Sequence, residues 1–329
     1  MARLGDGRLL VALLLALTGC SSAPPGSQET AQLNGTSSTF AGQAYLRWFN
    51  QLAVKEGINA EIAVMGSGQS IRTFLSGHTD FAGTDSPPAE AEIHAAPQGM
   101  LAFPVTAGSI AVAYNLPGCR LQLSRSQLVE LFQGRITNFS ELGCRNQPVF
   151  VLHRADASGS TANFTSSLAA ISPAWRKGPG AGRKIVWPTG RAVQGSDAMG
   201  EELASTRGAV GYIESAYIRE PLQAAALQNR QGLWVLPTAT AAAQAIATIK
   251  LDSNLLGSNA DPASGYPIVN LSWMLIPQRG LGDRRDPLRT SLRYILSRAG
   301  QDEAELLGYV PLPLKLRERA LQQLDQINR

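Results

Sequence analysis

The sequence is poor in the residues that most enzyme chemistry needs. It holds three histidines, His78, His94 and His153, and three cysteines, all far apart. Neither set has metal-ligand spacing, which argues against a zinc site, and neither metal nor cofactor is expected. Charged residues make up only 16% of the chain, and no dense Lys/Arg tract accompanies the formal charge of +4. An imbalance that small does not build a nucleic-acid surface. No GxxxxGK[ST] loop is present, so there is no P-loop for a nucleotide. The apolar run at residues 9–17 is too short to span a bilayer as a helix. What the chain does have is 44% hydrophobic residues, with 32 glycines and 19 prolines over 329 residues. That composition suits a loop-rich globular protein of roughly two domains with a sizeable core.

Arg3 and Arg8 flank the start of the apolar run, and Leu17-Thr18-Gly19-Cys20 follows it. A positive segment, a short apolar segment and small residues form the anatomy of an export signal. The final four residues resemble a bacterial lipobox; the alternatives are a plain secretory signal or a buried N-terminal helix. The lipobox resemblance implies removal of residues 1–19, lipidation of Cys20 and anchoring outside the cytoplasm, periplasmic or at the cell surface. Loss of Arg3, Asp6 and Arg8 would lower the formal charge from +4 to +3. Residues 20–30, rich in Ser, Pro and Gly, read as a flexible tether. Lipidation of Cys20 leaves an even pair, Cys119 and Cys144, 25 residues apart. In an oxidising compartment they are candidates for a structural disulfide, the alternative being two unrelated thiols.

Beyond the tether, strand-like and helix-like stretches alternate. Residues 42–55 carry Ala44, Tyr45, Trp48, Phe49 and Leu52 at helical spacing, and 70–76 carry Ile71, Phe74 and Leu75. Further helices are expected over 125–133, 160–170, 239–248, 287–298 and 314–327. Strands are expected at 62–65, 81–83, 102–105, 109–115, 149–152, 210–213 and 268–276. The alternation indicates an α/β fold with mostly parallel sheets. Such sheets bind ligands beyond the carboxyl ends of their strands.

Three loops share one design. Thr36-Ser37-Ser38-Thr39-Phe40 precedes a helix, while Gly66-Ser67-Gly68-Gln69-Ser70 and the run from Arg154 to Thr161 each lead from a strand into one. Each offers hydroxyls and the first N–H groups of a helix, which lack internal acceptors and lie at the positive end of the dipole. Such a terminus takes an anion, and Arg154 adds a cation. Taken singly, each loop also reads as an ordinary Ser/Thr cap. Arg154 also reads as a surface ion pair with Asp156, and Asp85 as a cap before Pro87 and Pro88.

Together these stretches resemble the PstS family of periplasmic phosphate-binding proteins of ABC importers. The family's Gly-x-Gly-[Ser/Ala]-Thr-Phe-Pro appears as Gly35-Thr36-Ser37-Ser38-Thr39-Phe40-Ala41. Its Gly-Ser-Ser-Gly-Gly appears as Gly66-Ser67-Gly68-Gln69-Ser70, and its Asp-Phe-Gly-x-[Ser/Thr]-Asp as Asp80-Phe81-Ala82-Gly83-Thr84-Asp85. Its Arg-x-Asp-x-Ser-Gly-Thr appears as Arg154-Ala155-Asp156-Ala157-Ser158-Gly159-Ser160. Trp187-Pro188-Thr189-Gly190, Gly208-Ala209-Val210-Gly211-Tyr212 and Tyr266-Pro267-Ile268 match in order. The departures are Ala41 for Pro, Gln69 and Ser70 for two glycines, Ser160 for Thr, and Ser196 for Asn.

The resemblance implies a two-lobed α/β periplasmic binding protein fold (type II-like), with a ligand cleft between lobes joined by crossing strands. Residues 31–114 and 267–329 would form one lobe and 115–266 the other. Phosphate would be held by Thr39, Phe40, Ser67, Asp85, Arg154, Ser158, Gly159 and Ser160, with Asp156 bracing Arg154. Asp85 would accept the proton that phosphate keeps near neutral pH, and so reject sulfate, which has none. The protein would be a monomer without catalytic activity that hands phosphate to the permease and ATPase subunits of an importer. Its membrane contact would be the lipid anchor. Two other readings stay open: a module for another tetrahedral oxyanion, and a phosphoester-hydrolysing enzyme using the same cradle. The enzyme would need a nucleophile and base, for which His153 is the one candidate.

Overall fold

The structure, a computed structural model, describes residues 31–327. The export signal, Cys20 and the tether lie outside the described residues. β1 (Ala31–Ser38) leads into α1 (Gly42–Glu56), which buries Ala44, Tyr45, Trp48, Phe49 and Leu52 and ends at Gly57 in the left-handed region (φ 65°). Next come β2 (Ile58–Met65), α2 (Ser67–Leu75), β3 (Phe81–Thr84), a short α3 (Glu90–His94) and the long β4 (Leu101–Tyr114). β5 (Gln122–Leu123), α4 (Arg125–Phe132), β6 (Phe150–Arg154), α5 (Gly159–Ile171) and α6 (Pro173–Lys177) follow. Then come β7 (Arg191–Val193), α7 (Gly195–Ser205) and β8 (Ala209–Glu214). β9 (Gln223–Ala224), β10 (Ala226–Gln228), β11 (Trp234–Val235) and α8 (Ala239–Ile246) lead to β12 (Val269–Ile276). α9 (Arg285–Leu296), α10 (Arg298–Leu306) and α11 (Leu314–Gln323) complete the chain.

One sheet runs in the order β2-β1-β3-β12-β4-β8-β6-β7, with β9 added beside β4. β1 pairs parallel with β2 and β3, and β6 pairs parallel with β7 and β8. Between these triplets, β12 and β4 run antiparallel to each other and to their outer neighbours. The expectation of a mostly parallel sheet is therefore corrected. Two parallel halves meet through two crossing strands, giving the two-lobed fold. β4 serves both: it pairs with β12 from Leu101 to Ser109 and with β8 from Ile110 to Tyr114. All its residues are buried, as a strand covered on both faces requires.

Other boundaries also differ from expectation. The strands expected at 102–105 and 109–115 are one strand, with Pro104 accommodated where the register against β12 shifts between Ser272 and Trp273. The helix expected over 287–298 ends at Leu296. Ser297 is extended there, and its hydroxyl accepts the Gly300 N–H at 3.2 Å to start α10. The helix expected over 314–327 stops at Gln323 and tightens into a 3-10 turn. α2 begins at Ser67, four residues before its apolar face opens at Ile71, so the second loop is itself the first turn. Cys119 and Cys144 are joined by a disulfide, their Cα atoms 5.5 Å apart.

The first half is fitted tightly around β1. A Cβ on Gly35 would fall 2.1 Å from the Phe81 ring, which is stacked on Phe49 at 5.0 Å between centroids. Phe81 therefore has no room to retreat. Gly35→Ala should lower the unfolding free energy by roughly 1–3 kcal/mol, read as a lower urea midpoint at unchanged slope. An unchanged midpoint would show that the ring yields.

Candidate functional site

The carboxyl ends of both parallel triplets converge. β1 ends at Ser38, β2 at Met65 and β3 at Thr84; from the other half β6 ends at Arg154 and β8 at Glu214. The helices that follow turn their N-termini to the same place. Contacts close across it: the Gly68 N–H donates to the Ala157 carbonyl at 2.9 Å, and Arg154 Nη2 to Thr39 Oγ1 at 2.8 Å.

Asp85 directly follows β3 and is 2% exposed. Its Oδ1 accepts from Ser38 Oγ at 2.6 Å and its Oδ2 from Ser67 Oγ at 3.2 Å. The Ser67 hydroxyl in turn accepts the Asp85 N–H at 3.1 Å. From the other half, Asn163 Nδ2 donates to the Asp85 carbonyl at 2.7 Å. Burial pushes the Asp85 carboxyl up to about 7, against the pull of these hydroxyls and with help from the charge of Glu214.

Arg154, 5% exposed, is braced on every side. Nε and Nη2 fork onto Asp156 at 2.8 and 2.5 Å. Nη1 donates to Ser196 Oγ at 3.1 Å, and the Arg154 main-chain N–H to the Tyr212 hydroxyl at 3.0 Å. Burial opposes ionisation of Asp156, but the Arg154 guanidinium outweighs it and holds this carboxyl below its ordinary range. α7 brings a further helix N-terminus, and the Gly195 N–H donates to Asp156 Oδ1 at 3.1 Å.

Ser158 caps α5, its Oγ accepting the Thr161 N–H at 3.3 Å, while its own N–H goes to the Arg183 carbonyl at 2.9 Å. Gly159 and Ser160 then carry the first N–H groups without an intrahelical acceptor. Gly159 lies hard against the other half: a Cβ there would sit 2.5 Å from Ser67 Oγ and 2.8 Å from Asp85 Cβ. Ser160 Oγ donates to Glu214 Oε1 at 2.7 Å. Glu214 is buried, and its Oε2 has no partner among the described residues.

The structure thus brings the expected residues together. Thr39, Ser67, Asp85, Arg154, Asp156, Ser158, Gly159 and Ser160 meet in one network. Phe40 borders it, its carbonyl accepting from the Tyr309 hydroxyl at 2.6 Å. Three donors expected to face the ligand are engaged elsewhere: the Ser67 hydroxyl on Asp85, the Ser158 N–H on Arg183 and the Ser160 hydroxyl on Glu214. Gln69 does not enter the cleft; it is exposed and accepts from Arg72 at 2.6 Å. Ser70 turns inward to Thr36, with 2.7 Å between hydroxyls.

The sequence reading left Glu214 out of the site altogether and named Ser38, Ser196 and Tyr212 only within motifs, without a role of their own. The signal for Glu214 was present: one acid ends an otherwise uncharged buried strand. His153 stacks on Trp187 at 5.0 Å, and its ring nitrogen Nδ1 lies 3.4 Å from the Arg154 carbonyl. No cluster of His, Cys, Asp and Glu suited to a metal occurs among the described residues. The chemistry on offer is hydrogen-bond donation from two sides to a small anion, with the carboxyls of Asp85 and Glu214 able to accept.

A family model described as a PBP superfamily domain matches residues 22–299. The chain is 28% identical to the phosphate-binding protein PstS of Xylella fastidiosa, over 90% of this chain and 86% of that protein. It is 28% identical to the PstS of Methanocaldococcus jannaschii, over 98% and 94%. By name these relatives are binding proteins, not enzymes. Among solved structures, it is similar to a phosphate-binding protein from Stenotrophomonas maltophilia, with a TM-score of 0.73, 19% identity and 89% and 94% coverage. A high affinity periplasmic phosphate-binding protein bound with phosphate aligns with a TM-score of 0.73, 18% identity and 88% and 92% coverage. At such identities the structural likeness shows the fold.

The raised carboxyl has a consequence for stability. Folded Asp85 titrates at about 7 against 3.8 for the free group, so between those values the folded chain holds the extra proton. Stability is then lost as pH rises through that window, by an amount on the order of 4 kcal/mol for this group. Asp85→Asn should flatten the decline, measured by urea unfolding of ligand-free protein at about pH 4.5, 6 and 7.5. Parallel profiles for parent and variant would refute the assignment.

Proposed function

The chain belongs to the PBP superfamily, and from that membership and its cleft we propose that it captures inorganic phosphate and delivers it to an ABC-type importer. The observation that carries the reading is Asp85, a buried carboxyl set among the donors of a site otherwise suited to an anion. A pocket for a fully ionised anion has no use for an acceptor there. Phosphate near neutral pH keeps a proton to give; sulfate has none, and two acceptors would face each other unpaired. Arsenate keeps the proton and is discriminated poorly. The phosphate-binding names of the relatives support the same ligand.

The ligand set in this reading is Thr39, Phe40, Ser67 and Asp85 from one lobe, with Arg154, Ser158, Gly159 and Ser160 from the other. Arg154 exchanges its bonds to Thr39 and Ser196 for ligand oxygens, while Asp156 keeps the guanidinium plane fixed. The lobes are residues 31–114 with 267–329, and 115–266, closing around the anion by a hinge. In this reading the protein performs no catalysis, in keeping with relatives named as binding proteins, and His153 is stacked on Trp187. Lipidated Cys20 holds it outside the cytoplasmic membrane. It works as a monomer, since one chain supplies all eight proposed ligand residues.

Titration calorimetry tests the reading. Phosphate should bind, and sulfate should be weaker by a factor on the order of 10^3 or more. Asp85→Asn should weaken phosphate and let sulfate in, narrowing that gap. No heat with phosphate, or equal affinity for sulfate, would sink the proposal.

A further inference from the structure

Arg183 lies in the loop between α6 and β7, on the half that carries Arg154, and its side chain reaches the other half. Nη1 and Nη2 fork onto the Glu92 carboxylate of α3 at 2.7 and 2.9 Å. Nε donates to Ser86 Oγ at 2.8 Å, and Nη2 also to the Pro87 carbonyl at 3.0 Å. Four of its five side-chain N–H groups are thereby committed to the segment that follows Asp85. The main chain of the same residue holds the opposite loop: the Arg183 carbonyl accepts the N–H of Ser158 at 2.9 Å. One residue thus grips both loops that meet where Gly159 abuts Asp85.

The partner is built for the grip. Glu92 Oε2 also accepts the Ala89 N–H at 2.7 Å and so fixes the start of α3. The two side chains are only 19% and 23% exposed, and the fork is bidentate. Both features raise such a pair above the usual surface ion pair. The fork joins elements of different halves, so opening the cleft must break it. Capture begins with the cleft open and is not slowed by its loss.

We propose that Arg183 is a positioning residue of the anion site, whose fork with Glu92 sets how long the closed cleft retains its ligand. This role rests on the phosphate reading above. Arg183 is not among the proposed ligand residues, so changing it leaves that donor set intact.

The test is release of radiolabelled inorganic phosphate after a chase with unlabelled phosphate. Arg183→Ala should release about tenfold faster, with an association rate changed by less than about twofold. Glu92→Gln should accelerate release in the same direction, and Arg183→Lys, which keeps the charge but not the fork, should fall between Arg183→Ala and the parent. A general structural defect would not order the variants in this way. If Arg183→Ala fails to fold, Glu92→Gln on its exposed helix decides the matter. Parental release rates in the folded variants would overturn this role and leave the phosphate reading standing. Failure of the parent chain to retain phosphate would sink both.

Discussion

A guanidinium that is 5% exposed cannot sit at the centre of a protein without compensation. Arg154 obtains it from Asp156 through a fork at 2.8 and 2.5 Å, and much of the surrounding structure follows. Asp156 must be held, which the Gly195 N–H does from the start of α7. The remaining guanidinium donors need acceptors, supplied by Thr39 and Ser196. The Arg154 main chain is fixed through Tyr212, whose hydroxyl also lies 2.7 Å from Thr161 Oγ1 on α5. The charges nearby do not make a simply positive cleft. Asp156 and Glu214 lie close to the one arginine, and Glu214 also bears on Asp85, so the acidic groups outnumber the cation. An anion entering such a place gains from bringing a proton.

The crossing strands explain how donors from distant parts of the chain face one another. Within a parallel triplet, every strand presents its carboxyl end, and the following helix its N-terminus, to the same edge. A single triplet would surround an anion from one side only. Because β4 and β12 run antiparallel between two triplets, the two carboxyl edges are turned to a common gap. The glycines at the seam allow the last approach. A Cβ on Gly66 would lie 2.3 Å from Asp156 Oδ2, and one on Gly68 2.7 Å from Ala157 Cβ.

The sequence made some of this legible and hid the rest for physical reasons. α1 was plain because one face is solvated, which leaves a 3.6-residue period. Strand direction was not, because β4 and β12 are buried on both faces and carry none of the charged, solvent-facing residues that mark an antiparallel strand. α10 was hidden because the residues it buries are Gly300, Gln301 and Ala304, which leave no apolar period to read. α7 was missed because Gly195, Ser196 and Gly200 dilute its period, and Ser196 with it. The anion loops stood out because hydroxyls, glycine and a strand-to-helix transition coincide in short segments. Ser38 lay inside one of them, but only the fold shows its hydroxyl turned to Asp85.

A protein that captures an anion must also let it go, and the division of the proposed ligand set between the lobes bears on this. Four of its residues lie on each side. A neutral hydrogen bond contributes about 1 kcal/mol net, so removing one side removes about 4 kcal/mol, close to a thousandfold in affinity. No single contact has to be weak for release to occur; the halves have only to part. A site with all its donors on one lobe would gain the same affinity and keep it. Placing Arg154 on one lobe and Asp85 on the other goes further, because neither can then select a ligand alone. The open form offers a cation and helix termini that accept many small anions. In the proposed reading, discrimination belongs to closure, when the Asp85 carboxyl is brought against whatever Arg154 has drawn in.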